Sequence, residues 1–452
     1  MNEHFNNHDH TFAEFARRMN RDSRKAMIDY PPFVFWDSGI DQAKIQADIK
    51  ARPDSIFNKL LGLYIHIPFC SERCSFCRYP FYIDTKRTDD FLEALYGEMD
   101  LYAGLLDHAP LRSVMIGGGT PSILDERQLK EFLENLHQKL NLKNALQISF
   151  EAHPASLNER KIRILRDLGV NRISLGIQSM DPDVLRTVNR TQEKDHIKNM
   201  HAAIRAAGID NIQIDLITGL PGQSVESFVA DLTEVLSWKP ASITVYEFIP
   251  SSLTSFYRMG NRFSDADLKR IAEMAARAAE LFSLAGYLHK PGNSTAMLKP
   301  GVYTLGVTDA FKFNSSFIGL GPFSHSHLTG SWRYANSGNL NEYIQSVKKG
   351  RLPVERGIRL DMTKELVSYL FNQLWKGAVS KRAVEMLYDA PLDSFTPILE
   401  RLRYLESRGK LLIREHYIKS LMASQEEWLT YCQYLFCDDI RQRIFNFIKE
   451  NE

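Results

Sequence analysis

The chain has 452 residues, of which 44% are hydrophobic and 25% are charged, and its formal net charge is +1. This length exceeds one ordinary domain and predicts a large domain with smaller ones attached. The near-neutral charge gives no global attraction to nucleic acid, and no apolar run has the length of a membrane span or the form of a secretory signal. We therefore expect a cytoplasmic protein without a nucleic-acid partner.

The first 60 residues are only weakly periodic. A helix is predicted over 12–27. The segment Tyr30–Trp36 contains two consecutive prolines, which remove backbone donors and restrict their neighbours. We therefore predict an extended aromatic arm there.

Short β-rich runs alternate with amphipathic helical patterns from residue 63 to residue 286. The six predicted strands are Leu63–Ile67, Ser113–Ile116, Gln147–Glu151, Arg172–Gly176, Asn211–Ile217 and Ser242–Phe248. The predicted helices are 88–106, 125–140, 157–168, 195–207, 224–237 and 264–286. Strands that alternate with helices pair in parallel. Six units are fewer than the eight of a closed barrel, so we predict a partial, open-sided α/β barrel.

The rest of the chain predicts two further regions. Residues 287–357 are richer in Gly, Asn and Ser and are predicted to be loops and short strands that close over the barrel. Helices over 361–375, 380–388 and 391–408, with a strand within 410–417, predict a small, mainly helical, winged-helix-like domain. The predicted division is an N-terminal aromatic arm, a barrel, a closing region and a C-terminal helical domain, at 1–60, 61–290, 291–357 and 358–452.

Three of the five cysteines lie within eight residues, as Cys70-Ser-Glu-Arg-Cys74-Ser-Phe-Cys77. An odd number of cysteines favours metal or redox chemistry over a disulfide framework. Three thiolates can hold three irons of a four-iron cluster and leave the fourth iron open, whereas a zinc site would need a further ligand such as His66. The loop follows the first strand at the carboxyl end, where barrels place their active sites, and this favours the cluster.

The segment Tyr64-Ile-His-Ile-Pro-Phe-Cys70 with the CxxxCxxC spacing resembles the radical S-adenosylmethionine (SAM) superfamily, and more narrowly the oxygen-independent coproporphyrinogen III dehydrogenase, or HemN-like, family. The resemblance covers roughly residues 30–450. It implies a partial (β/α)6 radical SAM barrel, a HemN-like C-terminal domain and a [4Fe–4S] cluster that cleaves SAM. Further motifs carry it in order: Gly117-Gly-Gly-Thr-Pro-Ser122, Ser149-Phe-Glu-Ala-His153, Ser174-Leu-Gly-Ile-Gln-Ser179, Val188-Asn-Arg190, Ile214-Asp-Leu-Ile-Thr-Gly-Leu-Pro-Gly222 and Gly319-Leu-Gly-Pro-Phe-Ser-His325.

The resemblance also implies which residues hold the cofactors. Cys70, Cys74 and Cys77 are implied as the ligands of the cluster. The residues implied around SAM are Tyr64, Phe76, Gly118, Gly119, Thr120, Glu151, Gln178, Arg190 and, through its backbone, Ile249. Asp215 is implied in the binding of a second SAM molecule beside the first.

Each of these positions also has a purely structural interpretation. Three glycines after the second strand let the backbone approach a ligand and offer free N–H donors, but they also suit a tight turn. Polar residues at strand ends are usually caps or solvated groups, and Tyr64 and Phe76 suit core packing. Arg190 fits the carboxylate of SAM because guanidinium is a two-pronged donor.

Three reactions are considered for this fold. The coproporphyrinogen III dehydrogenase pattern is CxxxCxxCxC, and Tyr79 stands where it has the extra cysteine. We therefore rank first a class C methyltransferase, which uses two SAM molecules to methylate an sp² ring carbon of an aromatic substrate such as a menaquinone naphthoquinone ring. The alternatives are oxidative decarboxylation of coproporphyrinogen III and a heme chaperone or heme-degrading relative.

The expected partners follow from these alternatives. They are a small aromatic or tetrapyrrole substrate and a flavodoxin- or ferredoxin-type electron donor, with contact to a membrane surface if the substrate is a quinone. We expect a monomer. His325 and His327 are candidates for substrate contact or proton transfer, or are simply partly buried, and Cys432 and Cys437 are predicted to be packed thiols.

Overall fold

The computed structural model of the protein describes residues 30–51, 61–106, 109–290, 293–302 and 315–451. The helix predicted over 12–27 lies outside these described residues. Within them, no helix combines the length and the apolar character that a membrane crossing requires.

The N-terminal arm is less extended than the sequence predicts. Residues Phe33–Phe35 form one turn of 3-10 helix, which Pro32 begins and a hydrogen bond from the Trp36 N–H to the Phe33 carbonyl (3.1 Å) closes. A proline suits the start of a helical turn because its missing N–H is not needed there. Strand β1 (Asp37–Ser38) and helix α1 (Gln42–Lys50) follow the arm.

Six parallel strands form the centre of a large sheet, and they confirm the predicted order. They are β2 Gly62–Ile67, β3 Ser113–Gly118, β4 Gln147–Ala152, β5 Arg172–Gln178, β6 Asn211–Thr218 and β7 Ser242–Glu247. Each strand pairs with the next along the chain. The strands are buried over most of their length, as expected when helices cover a parallel sheet, and in β4, β5 and β6 apolar residues alternate with polar or small ones.

Helices follow the strands in the alternation that the sequence predicts. Their order is α2 Thr88–Leu106, α3 Glu126–Lys139, α4 Glu159–Asp167, α5 Pro182–Thr187, α6 Lys194–Ala206, α7 Val225–Ser237, α8 Ser255–Arg258 and α9 Asp265–Leu284. The short helices α5 and α8 are not predicted, because one or two turns are too short to show a helical period. A capping box between Asp125 and Gln128 starts α3 at its predicted position.

The region predicted to close over the barrel instead extends its sheet on both sides. Strands β8 Leu288–Lys290 and β9 Asn293–Leu298 lie beyond β7. On the other side, the strands are β10 Phe317–Leu320, which is parallel to β2, then β11 His325–Leu328, β12 Trp332–Asn336 and β13 Val354–Arg359, with helix α10 Leu340–Lys348 inserted. Among the described strands β1 and β8 are the two edges, so the barrel remains open as predicted.

The C-terminal region is mainly helical, as predicted, with a small sheet. Its elements are α11 Met362–Trp375, β14 Ala378–Ser380, α12 Lys381–Tyr388, α13 Thr396–Ser407, β15 Leu411–Ile413, β16 Tyr417–Ser420, α14 Gln425–Tyr431 and α15 Asp438–Asn451. Two predictions need correction. A separate 3-10 turn at Leu392–Ser394 precedes α13, and the strand predicted within 410–417 is a hairpin of β15 and β16.

Two large buried clusters hold these elements together. The first lies between the barrel sheet and its helices. The second joins the arm to β12, β13 and the C-terminal helices, and includes Tyr30, Trp36, Ala335, Ile358 and Phe436. The carboxyl ends of β2–β7 meet at one edge of the sheet, and the segments predicted to bind cofactors start there.

Candidate active site

The loop with the three cysteines leaves the end of β2 and is anchored at three points. The Tyr82 N–H donates to the Pro68 carbonyl (2.6 Å), and the Cys70 N–H donates to the Tyr82 carbonyl (3.0 Å). In its middle, the Ser75 N–H donates to the carbonyl of Val188 (2.9 Å). The three thiols therefore lie on one short, fixed segment at the barrel mouth.

Each thiol has a different neighbour. The Cys70 Sγ lies 3.3 Å from the Thr120 hydroxyl, and the Cys74 Sγ accepts from the Arg190 guanidinium at 3.6 Å. Burial raises the pKa of Cys70 to about 12 and also raises the pKa of Cys77. Because a metal deprotonates the thiols that coordinate it, a bound cation would reverse this preference for the neutral form.

The donor set fits an iron–sulfur cluster better than a single zinc ion. In the described part of the chain, no three His, Cys, Asp or Glu side chains are close enough to share one metal ion. Zinc needs four ligands around one centre, whereas a four-iron cluster takes one thiolate per iron and so spreads its ligands apart. His66, the alternative zinc ligand, is instead hydrogen-bonded through Nδ1 to the Tyr64 hydroxyl (2.9 Å).

The glycines at the end of β3 are required by close packing. A Cβ on Gly117 would lie 2.6 Å from Glu151 Oε2, and one on Gly118 would lie 2.9 Å from the ring of His66. Gly118 also has a φ of +115°, which residues with a side chain rarely adopt. Its N–H faces Glu151 Oε2 at 3.3 Å. The segment therefore lets β3 lie against the side chains of its neighbours.

The prediction that this segment offers free N–H donors is wrong at two positions. The Gly119 N–H donates to the Ile67 carbonyl (2.8 Å), and the Thr120 N–H donates to the Phe69 carbonyl (2.7 Å). The segment runs beside the continuation of β2, so the backbone itself takes up these donors. The Thr120 hydroxyl, beside Cys70, is the contact that this turn offers to the cysteine loop.

Two carboxyl groups, Glu151 and Asp215, lie near each other in the interior of the barrel. Asp215 accepts hydrogen bonds from the Ser174 hydroxyl (2.8 Å) and from Gln213 Nε2 (2.6 Å). Burial, with the charge of Asp215, raises the pKa of Glu151 to about 7, and burial raises the pKa of Asp215. A cationic or hydroxyl-bearing ligand would relieve this cost, since it would pair with the ionised carboxyls.

Gln178, at the end of β5, combines backbone strain with an unused acceptor. Its φ of +71° lies in the left-handed region, at a bulge against β6. Its Oε1 is buried without a hydrogen-bond partner among the described residues. Such an outlier costs energy and is common at ligand sites, and an unpaired buried acceptor suits a ligand amine or hydroxyl.

Arg190 connects the end of β5 to the cysteine loop. Its Nε donates to Gln192 Oε1 (3.1 Å), one terminal nitrogen donates to the Gly176 carbonyl and the other contacts Cys74. The guanidinium therefore already has protein partners. A carboxylate could share it only through the remaining N–H groups, since guanidinium has five.

The other predicted SAM-lining residues differ in their surroundings. Tyr64 is enclosed, and burial raises its pKa well above the usual value, with a smaller contribution from Glu151. Phe76 packs against a small apolar cluster that includes Val188 and Phe248. Ile249 follows β7 and is 53% exposed. Of these three residues, Phe76 has the position that the structural interpretation, core packing, predicts. A side chain packed in this cluster can also contact a cofactor.

Some residues at this site are missed by the sequence analysis. Tyr246 in β7 is 46% exposed, and its pKa is raised mainly by the charge of Asp215, which places it near the carboxyl pair. The Arg172 guanidinium donates to Gln213 Oε1, and Gln213 in turn holds Asp215. The sequence pattern that could have revealed these residues is the period-two alternation of a strand. Gln213 and Asp215, for example, are two apart in one strand and so share its inner face.

The histidines and the other cysteines have different positions. His327 is fully buried and hydrogen-bonded to Glu365 (2.8 Å), so it is not available to a substrate. His325 is half-buried beside the aromatic arm. Cys432 is buried in the C-terminal core, as expected of a packed thiol, and the Cys437 N–H donates to the Tyr30 hydroxyl (3.2 Å).

Comparison with known proteins assigns the barrel. Residues 64–235, which span the cysteine loop and both barrel carboxyls, match the Radical SAM superfamily. This segment of the chain is therefore a radical SAM domain. This assignment implies a [4Fe–4S] cluster and SAM as cofactors, and it agrees with the fit of the three thiols to a cluster.

The similar proteins are HemN-like. The heme chaperone HemW of Bacillus subtilis is 27% identical over 378 residues, which cover 78% of this chain and 97% of HemW. The oxygen-independent coproporphyrinogen III oxidase of Pseudomonas aeruginosa is 28% identical over 383 residues, with 80% of this chain and 81% of the oxidase covered. The solved structure of the Escherichia coli coproporphyrinogen III oxidase HemN has a TM-score of 0.73 and 23% identity, and covers 91% and 97% of the two chains.

These findings establish a radical SAM enzyme with a HemN-like fold. They favour the predicted alternatives over the first-ranked methyl transfer, because the relatives are an oxidase and a chaperone. No relative described above is a methyltransferase. The roles of the individual site residues and the number of SAM molecules remain predictions.

Proposed function

We propose that this radical SAM protein acts on a tetrapyrrole. The observation that carries the proposal is the anchored three-thiol loop beside the buried carboxyls Glu151 and Asp215, in a chain whose two relatives handle coproporphyrinogen III and heme. The thiols supply a cluster site, and the carboxyls supply partners for a cationic cofactor. Both compounds are tetrapyrroles, so the substrate class is shared although the reactions differ.

When bound, the cluster and SAM supply a 5′-deoxyadenosyl radical that removes a hydrogen atom from the substrate. In the proposed arrangement, Cys70, Cys74 and Cys77 hold the cluster. Arg190 keeps a positive charge beside Cys74 and stabilises the thiolate. Gln178 accepts a hydrogen bond from the SAM amine or a ribose hydroxyl.

The carboxyl pair has a second part in the proposal. Ser174 and Gln213 fix the orientation of Asp215, and Gly117 leaves room for Glu151. Because burial makes both carboxyls costly to ionise, they favour a ligand with positive charge. The sulfonium of one SAM, and the hydroxyls of that molecule or of a second, meet this requirement.

Oxidative decarboxylation of propionate side chains is the reaction that the comparisons favour. The P. aeruginosa relative is a coproporphyrinogen III oxidase, and the alignment covers most of both chains. Under this proposal, the cluster and SAM held by the cysteine loop and its neighbours would supply the removal of a hydrogen atom that decarboxylation of a propionate requires. The carboxyl group would be released as carbon dioxide to leave a vinyl group, and an external electron acceptor would take the one remaining electron.

One observation favours methyl transfer to a tetrapyrrole carbon as a second candidate. Tyr79, where the decarboxylase pattern has its extra cysteine, is 62% exposed at the cysteine loop. Cys70, Cys74 and Cys77 already supply three cluster ligands, so Tyr79 leaves the cluster site complete but departs from the decarboxylase pattern. This candidate includes the heme-degrading variant, in which methyl transfer precedes opening of the ring.

A single assay distinguishes these reactions. The anaerobically reconstituted protein is incubated with reductant, deuteriomethyl-SAM and either coproporphyrinogen III or heme, and the products are identified by mass spectrometry. Carbon dioxide and vinyl products from coproporphyrinogen III support decarboxylation. Deuterium in 5′-deoxyadenosine, S-adenosylhomocysteine and a methylated tetrapyrrole support methyl transfer. Stoichiometric heme binding without turnover supports a chaperone. If the protein neither binds nor converts either compound, that result contradicts the proposal.

The remaining features of the proposal concern partners and domains. A flavodoxin- or ferredoxin-type donor is proposed to reduce the cluster, and the chain is proposed to act as a monomer. The division at 1–60, 61–290, 291–357 and 358–452 is kept as a proposal. One point qualifies it: the sheet runs without interruption from β7 across β2 to β13, so the third region belongs structurally to the barrel.

A further inference from the structure

Three rings from distant parts of the chain meet beside the turn that follows β10. His325 begins β11, and its ring centroid lies 5.1 Å from that of Phe33 and 5.5 Å from that of Trp36. The two arm rings are 5.1 Å apart. His325 and Phe33 are half-buried, while Trp36 is buried beneath them. The arm thus presents part of an aromatic surface rather than a closed core.

This aromatic surface continues into a cationic side chain on the same face of the sheet. His325 pairs with Ala335 across β11 and β12, and Ala335 pairs with Arg356 across β12 and β13. Directly paired residues of neighbouring strands share a face, and strands are about 4.8 Å apart. Arg356 therefore lies about 10 Å from His325 along the face, with only the small side chain of Ala335 between them.

The Arg356 guanidinium makes few polar contacts within the described part of the protein. Its side chain is 41% exposed, and its contact with Glu355 is a long 3.9 Å pair through Nε. No hydrogen bond from this guanidinium is found among the described residues. Arg356 therefore has donors for a carboxylate ligand, which guanidinium binds with two parallel hydrogen bonds.

The same turn connects this surface to the cysteine loop. Phe323 holds a φ of +63°, an uncommon value for a bulky side chain. Its ring lies 6.0 Å from that of His66 and 5.6 Å from that of Tyr82, which anchors the cysteine loop. Aromatic side chains thus extend from the end of β2 to the turn that leads into His325.

We propose that Phe33, Trp36, His325 and Arg356 form a docking shelf for the tetrapyrrole, and this inference rests on the proposed function. The rings of Phe33 and His325 contact the flat macrocycle, and Trp36 supports them from below. Arg356 binds a carboxylate side chain. A tetrapyrrole fits both parts because it is a wide aromatic disc with carboxylates at its rim. Such a ligand would lie with one edge towards the cysteine loop.

Arg356→Gln and His325→Ala test the shelf, with Arg359→Gln as the matched control. Arg359 is in the same strand but, three residues on, faces the opposite side, where it approaches Asp48 at 3.8 Å. Coproporphyrin III binding is measured by fluorescence quenching and hemin binding by absorbance. Arg356→Gln is expected to bind at least tenfold more weakly, since a charged hydrogen bond is worth about tenfold. His325→Ala is expected to bind about two- to tenfold more weakly, since it loses a ring contact with the macrocycle. The control is expected to remain within twofold. Iron content and thermal unfolding identify variants that fail to fold.

The tetramethyl ester of coproporphyrin III, in the same detergent-containing buffer, tests the role assigned to Arg356. Without carboxylates, the ester should bind wild type and Arg356→Gln equally, whereas the free acid should distinguish them tenfold. Equal binding of the free acid by wild type and both folded shelf variants would overturn the shelf and leave the proposed function intact. If the wild type binds neither coproporphyrin III nor hemin, the proposed function fails, and the shelf fails with it.

Discussion

The three cysteines of the loop have similar sequence surroundings but different chemical environments. The Cys70 thiol meets a hydroxyl, that of Thr120, whereas the Cys74 thiol meets the charged guanidinium of Arg190. Burial raises the pKa of Cys70 and of Cys77 and so favours their protonated form. The loop is therefore preorganised by its backbone and not by charge, and we infer that metal binding supplies the energy that deprotonates the thiols.

Replacing Cys74 should remove the cluster while leaving the fold intact. A [4Fe–4S] cluster on three protein thiolates needs all of them. The iron content of Cys74→Ala is therefore expected to drop from about four irons per chain to below one. The release of 5′-deoxyadenosine should fall to background. Cys437→Ala, at a half-buried thiol in the C-terminal region, is the matched control and should keep its iron. Full iron content in Cys74→Ala would show that this thiol is not a ligand.

Glu151 predicts a pH dependence of SAM binding. Its pKa is raised to about 7, mainly by burial. The carboxyl is therefore about one-tenth ionised at pH 6 and about nine-tenths ionised at pH 8. If the ionised form binds the cofactor, the affinity of the reconstituted protein should rise by up to about tenfold over this range. Equilibrium dialysis with labelled SAM measures it.

Glu151→Gln provides the comparison for this pH effect. The amide cannot ionise, so its affinity for SAM should be weak and nearly constant between pH 6 and pH 8. Tyr246→Phe, near the same carboxyl pair, removes a hydroxyl without changing a carboxyl and should retain the wild-type slope. A Glu151→Gln protein with the full wild-type slope would assign the titration to another group, and Asp215 would be examined next.

At the scale of elements, the strands and helices of the barrel were the predictable part. In strands such as β5, apolar residues alternate with polar or small ones between polar loops, and this period-two pattern is visible in a single sequence. The short strands β10–β13 were not predictable as a sheet, because they pair with β2 and the arm over long sequence separations. The hydrogen bonds of Gly119 and Thr120 were missed for a related reason: glycine motifs specify backbone freedom, not the acceptor that each amide meets.

Glu98 shows how one side chain holds several of these elements. It is fully buried in α2 and accepts from the Gly321 N–H (2.8 Å), Asn336 Nδ2 (2.7 Å) and the Tyr343 hydroxyl (2.6 Å). The partners lie in the turn after β10, in β12 and in α10. Burial raises the pKa of Glu98 to about 7, although the three donors act in the opposite direction. The carboxyl is thus the acceptor that joins the sheet extension to the barrel.

Removal of this acceptor should destabilise the protein strongly. Glu98→Ala leaves three buried donors unpaired, and we expect the free energy of unfolding to fall by about 3 kcal/mol or more. Glu93→Ala, at an exposed position of the same helix, should change it by less than about 0.5 kcal/mol. Urea denaturation followed by tryptophan fluorescence compares them. Similar losses in both variants would mean that the sheet extension does not depend on Glu98.

At the scale of the whole molecule, a few buried polar contacts join the arm, the sheet and the C-terminal helices. The Arg333 guanidinium in β12 donates to the Tyr30 carbonyl (2.6 Å) in the arm and to the Ser368 hydroxyl (2.7 Å) in α11. His327 in β11 bonds to Glu365 in the same helix. The two residues of each contact are at least 35 apart in sequence, so residue patterns could not predict the contacts. The Arg333 contacts hold the arm, and with it two rings of the shelf, against the sheet.

The buried hydrogen bond between His327 and Glu365 predicts the strength of this connection. Burial acts to raise the pKa of Glu365, but the charge and hydrogen bond of His327 outweigh it and lower the pKa, so the carboxyl is ionised. Glu365→Ala leaves His327 and the Gly330 N–H without their buried acceptor and should cost about 3 kcal/mol, since each unsatisfied buried donor costs about 1–3 kcal/mol. Glu365→Gln keeps one acceptor oxygen and should cost less than Glu365→Ala. Glu385→Ala, at an exposed position in α12, should be nearly neutral. Urea denaturation measures this order, and equal stability of the Glu365→Ala and Glu385→Ala proteins would show that the pair does not hold the C-terminal helices to the barrel.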